Sequence, residues 1–136
     1  MTQPDRDRAQ RTPLHYAAID LRATDRAAGV RSLLEQGADV DAVDEAGMTA
    51  LHFAARRKDT DVVRVLLEAG AQVNRQDDRG YTALMHAATS SNSSVEMCAL
   101  LWDAGGDPTV RTVQDYTVLT YLAGTDRWDR RALFGI

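Results

Sequence analysis

The chain has 136 residues, one domain's worth, with 44% hydrophobic but only 6% aromatic residues. Its core must therefore rest on Leu, Val and Ala, which suits thin helical layers better than a broad β core. A net charge of −4 and a pI of about 5.3 oppose nucleic acid and anionic membranes as partners. The single cysteine, Cys98, permits no internal disulfide, and the polar opening MTQPDRDRAQR has no apolar run of signal-peptide kind. No segment approaches the roughly 18 apolar residues of a membrane span, so the expected location is the cytoplasm.

Four phrases recur in order: Thr12-Pro13-Leu14-His15, Thr49-Ala50-Leu51-His52, Thr82-Ala83-Leu84-Met85 and Thr117-Val118-Leu119-Thr120, at spacings of 37, 33 and 35. The copy from Thr49 to Tyr81 shows the plan. Thr49 is placed to cap a helix, because its hydroxyl accepts from an orphan N–H of the first turn. Pro13 occupies the first helical position of the first copy, where a missing N–H costs little. Leu51, Ala54 and Ala55 share one helical face, and the alanines allow close approach. Lys58, Asp59 and Thr60 break that helix and open a second, whose apolar face is Val62, Val63, Leu66 and Leu67. Gly70 follows as the expected left-handed stop. Asp77-Asp78-Arg79-Gly80 is then a polar turn projecting between units.

The other copies are edits. The first carries four extra residues between Ala18 and Gly29, with Asp25 able to cap its second helix. Gly29 takes the place of Val62 on the buried face and weakens that helix by up to about 1 kcal/mol relative to Ala. The third carries two extra in Ser90-Ser91-Asn92-Ser93-Ser94, before a second helix with Met97, Cys98, Leu100, Leu101 and Trp102 facing inward or nearly so. The fourth has Thr112-Val113-Gln114-Asp115 as its turn and a short second helix around Trp128 to Phe134. Its apolar end, Leu133 to Ile136, either folds back on the third unit or contacts another chain, which leaves self-association open.

The phased Thr-x-Leu-His phrases, paired alanines, Leu-Leu pairs and Gly-Ala-Asp turns resemble the ankyrin repeat over nearly the whole chain. The resemblance implies an all-α solenoid of stacked helix-turn-helix units with hairpin-like loops, one domain over residues 1–136. The repeats are expected at about 12–48, 49–81, 82–116 and 117–136, the last a truncated cap. It also implies that His15 and His52 are structural, their rings bonding between the Thr and neighbouring loop backbone.

Catalytic and metal chemistry find little support. His15 and His52 stand a repeat apart, too far to share a ligand shell of about 2 Å, and His86 is one residue out of phase. The run Asp39-Val40-Asp41-Ala42-Val43-Asp44 lacks the glycine and distal glutamate of a calcium loop. The serines at 90–94 have no catalytic neighbours, and Cys98 matches Val63 as a small buried hydrophobe. No cofactor, metal or catalytic residue is expected.

What remains is surface. The family uses its loop tips and first-helix face as a concave protein-binding groove, and by position that face here is Arg11, Met48, Tyr81 and Tyr116, just before each Thr. Beside them stand Glu45, Asp78, Arg79, Val113 and Gln114, and the first helices end at Ile19-Asp20, Arg56-Arg57 and Thr89-Ser90. Met, Tyr and Arg are enriched at interfaces. The face is mixed in sign, with a basic centre at Arg56, Arg57 and Lys58 flanked by acids, which either suits an acidic helix or loop of another protein or is a solvated charge run. The expectation is a non-catalytic interaction module, acting as an inhibitor or immunity-type protein, with a self-associating scaffold as the alternative.

Overall fold

A computed structural model describes residues 8–90 and 95–124. Among them are seven helices and no strands: α1 Pro13–Ile19, α2 Arg26–Glu35, α3 Ala50–Arg56, α4 Thr60–Glu68, α5 Ala83–Thr89, α6 Val95–Asp103 and α7 Val118–Ala123. At 6 to 10 residues each they are too short to persist alone in water and depend on packing. The predicted second helix of the fourth unit, and with it Leu133 to Ile136, lies outside the described residues.

Local chemistry sets the ends. Thr12, Thr49, Thr82 and Thr117 cap α1, α3, α5 and α7. Asp25 and Asp59 cap α2 and α4, accepting from Ala28 N–H at 3.0 Å and Val62 N–H at 3.2 Å. Lys58 ends α3 in the left-handed region, at φ +62°. Gly70 does the same for α4, at φ +88°, while Gly70 N–H reaches Leu67 O and Ala71 N–H reaches Leu66 O. That 5→2 and 6→1 pairing is the Schellman arrangement, and it satisfies carbonyls the helix leaves orphaned.

The odd-numbered helices pack side by side as an inner row, with α2, α4 and α6 behind them. Leu14, Leu51 and Leu84 fill the inner row, and Val30, Val63, Cys98, Leu66 and Leu101 close the layer behind. Gly29 differs from expectation. It is exposed, with open space where a Cβ would be, because α2 is the first outer helix described and no described residue packs on its far side. Val30 is the residue that α2 buries completely.

The loops between units form three stacked fingers. Each is pinched shut by one backbone bond: Asp44 N–H to Met48 O at 2.9 Å, Asp77 to Tyr81 at 2.9 Å and Thr112 to Tyr116 at 2.8 Å. A further backbone bond joins each finger to the chain before it: Glu45 N–H to Ala9 O at 2.8 Å, Asp78 to Ala46 at 3.0 Å and Val113 to Arg79 at 3.0 Å. This close stacking explains two glycines. Gly47 and Gly80 lie at φ +74° and +78°, and a Cβ would stand 2.7 Å from the Asp78 carboxylate or 2.8 Å from Thr112 Cα. The third finger has Asp115 there, at φ +64°. No further finger follows it among the described residues, so its side chain is free to turn out and pair with Arg111 at 2.7 Å.

Candidate protein-binding groove

Two of the histidines bolt helix to finger. In His15, Nδ1 accepts from Thr12 N–H at 3.0 Å, which leaves Nε2–H to donate to Met48 O at 2.8 Å. In His52, Nδ1 accepts from Thr49 N–H at 2.9 Å, and Nε2–H donates to Arg75 O at 2.9 Å and Tyr81 O at 3.1 Å. Both rings are buried, and burial lowers the pKa of His52 below its ordinary value. Such groups are structural ties already committed to partners.

The fingers pose a separate problem, because each carries a buried acid. Asp44 accepts from Ala46 and Met48 N–H, and Asp77 from Arg79 and Tyr81 N–H, all at 2.9 Å. That occupies Oδ1, and a buried Oδ2 must also be met. For Asp44 the answer is Arg11, whose Nε lies 3.6 Å away. For Asp77 it is His86, with Nε2 at 2.7 Å and side-chain exposures of only 3% and 2%. Burial pushes His86 down to about 4, while the bonds from His86 and the finger backbone hold Asp77 low, so a neutral imidazole donates to a carboxylate. The His86 ring also meets His52 at 5.4 Å and Tyr81 at 5.2 Å between centroids. Sequence reasoning noted His86 only as out of phase. Its signal was a column read once per repeat, Tyr16, Phe53, His86 and Tyr121, in which one ring is basic.

In front of these ties runs a groove of about 810 Å³, lined by Arg11, Ile19, Phe53, Arg56, Arg57, Arg79, Tyr81, His86, Thr89 and Ser90. Phe53, nearly buried, lines it beneath the Arg11 guanidinium, 5.1 Å from its ring centroid. The Arg79 guanidinium sits 4.6 Å over Tyr81. Arg56 and Arg57 end α3, where cations complement the helix dipole.

Of the expected surface residues, the groove brings together Arg11, Arg56, Arg57, Arg79 and Tyr81. Glu45, Asp78, Val113, Gln114 and Tyr116 are exposed on the fingers but do not line it, Val113 at 72% and Tyr116 at 56%. Met48 is a correction. It is only 7% exposed, with its N–H held by Asp44 and its carbonyl by His15, so it forms part of the finger's base and projects no tip. Phe53 also lines the groove; the helical face of Leu51, Ala54 and Ala55 read from the sequence leaves it out.

Other chemistries find no site among the described residues. No group of three His, Cys, Asp or Glu is placed to hold a metal, and no helix is long and apolar enough to cross a membrane. The acidic run is spent on backbone: Asp39 accepts from Asp41 N–H at 3.0 Å and Asp41 from Gln72 N–H at 2.9 Å. Cys98 is buried, which pushes its thiol up to about 11, away from any nucleophilic role.

Residues 22–112 match the family model for ankyrin repeats in three copies, more than half of the chain. Ankyrin repeats are in general modules that bind other proteins, and the capped helix pairs, stacked fingers and concave groove have the form that such modules present. The chain belongs to the ankyrin-repeat family.

Proposed function

We propose that this chain is a non-catalytic cytoplasmic module that holds another protein along its concave face. Arg11, Arg56, Arg57, Arg79 and Tyr81 meet the partner in the groove, and Glu45, Asp78, Val113, Gln114 and Tyr116 extend the contact along the finger tips. The observation that carries this reading is the groove itself: an open cleft that gathers Tyr81, Phe53 and four arginines. Aromatic and Arg anchors of this kind dominate binding energy where they are desolvated together. The titratable groups there are arginines, Tyr81 and a His86 already bonded to buried Asp77, which supports binding and not turnover. Occlusion of the partner, as by an inhibitor or immunity-type protein, is the mode of action proposed, by analogy of fold.

The test replaces Tyr81 and Tyr116 by Ala together. Affinity capture from the native organism, read by mass spectrometry, should lose its partner while the helical circular dichroism stays unchanged. Capture that survives the double substitution overturns the proposal.

A further inference from the structure

We propose that the segment held in this groove is acidic: a stretch of a partner protein whose Asp and Glu side chains pair with Arg56, Arg57 and Arg79. The inference rests on the groove-binding reading above and specifies its chemistry. The chain as a whole carries a net charge of −4, yet the groove is lined by four arginines and no carboxylate. Two acids of the adjoining fingers are already used. Asp44 is buried against Arg11, and Asp77 is buried against His86 and the finger backbone.

Among the described residues the three remaining arginines have no such partner. None of the ion pairs among the described residues involves Arg56, Arg57 or Arg79. A helix C-terminus explains why two cations are favourable at Arg56 and Arg57. It does not explain Arg79, which comes from the finger and is held over the Tyr81 ring, on the same groove. Arginines held by stacking lose less freedom on binding and present planar forks suited to carboxylates. Ile19 and Tyr81, half-buried on the same groove, offer an apolar seat, so the fitting segment carries one apolar side chain among its acids. Nucleic acid fits less well, since a polyanion longer than the groove would run over the acidic remainder of the chain.

The experiment is selection of peptides from a random display library on the intact protein. Three forms are compared: wild type, Arg56→Glu/Arg57→Glu/Arg79→Glu, and Tyr81→Ala/Tyr116→Ala. Arg64→Glu, on the exposed face of α4, serves as the charge control. Each form is first shown to keep its helical circular dichroism. The expected result is a selected set rich in Asp and Glu around one apolar residue. Its binding should weaken with salt, fall about tenfold or more in the triple variant, fall in the tyrosine variant, and stay unchanged in the control. Selected peptides that need Tyr81 and Tyr116 but show no acidic enrichment overturn this inference and leave the groove reading standing. Peptides indifferent to both variants, or none selected, overturn both. A single-stranded oligonucleotide that binds wild type tightly and the triple variant weakly also overturns the inference.

Discussion

Acid should loosen this protein well before its carboxylates titrate, and His86 is the reason. Its pKa is lowered from 6.5 to about 4 in the folded chain, so the fold favours the neutral ring. In the unfolded chain the ring takes up its proton near pH 6.5. The His86 contribution is therefore complete above pH 6.5 and is lost progressively as pH falls toward 4. At about 1.4 kcal/mol per pKa unit the loss is about 3 kcal/mol, a large part of a small domain's stability. His52 is lowered as well and acts with the same sign. Asp77, held below its ordinary 3.8, contributes only at lower pH, so the window from 6.5 to 4 belongs to the histidines. Urea midpoints read by circular dichroism at steps from pH 7.5 to 4.5 measure the effect. His86→Phe supplies the control, since Phe53 and two tyrosines fill this position in the other units. At neutral pH that variant should be less stable by about 1–3 kcal/mol, the cost of stranding the buried Oδ2 of Asp77. Its stability should also fall less steeply with acid. A wild type whose stability is flat between pH 7 and 5, or a variant with an identical pH profile, would refute the reasoning, as would a ring-proton titration placing His86 above 6.5.

Three further outcomes are expected. Gly80→Ala should lower the urea midpoint more than Gly70→Ala. Both force a side chain into the left-handed region at about 1–2 kcal/mol, but only at Gly80 does the new Cβ meet backbone, at 2.8 Å. Cys98 should resist iodoacetamide in the native protein and label fully in urea, as mass spectrometry would report; rapid native labelling would contradict its burial. Met85→His should restore the tie that His15 and His52 make, with Nδ1 accepting from Thr82 N–H. Amide exchange in residues 112–116 should then slow, and unchanged exchange would show that the finger does not depend on that position.

Legibility divided along a physical line. Wherever one residue's own backbone preference or a partner three or four positions away decides the structure, the sequence was sufficient. The Thr caps, Pro13 at the start of α1, Asp25 and Asp59 at the outer helices and the Gly70 stop are of this kind. Repetition then carried these local facts into a stack, because the same anchors return in phase. Most contacts between units were not readable. The bond from His86 to Asp77 needs the finger to fold back on α5, and its only trace in the sequence is one basic ring in a column otherwise filled by Tyr and Phe. Met48 and Tyr81 share a phase, yet Met48 is buried and Tyr81 is half exposed, a difference set by what stacks around each finger. Gly29 likewise has the right phase for burial and lacks a neighbour to bury it.

The middle finger is held from both sides, by His52 through Arg75 and Tyr81 and by His86 through Asp77. The last finger receives no such tie from α5, where Met85 stands in the histidine position. This gives the stack a direction of failure. Among the three fingers, the last one, without a histidine tie, is the one expected to open first at neutral pH. In acid both imidazoles of the middle finger charge, so the joint that is held twice at neutral pH loses both ties together.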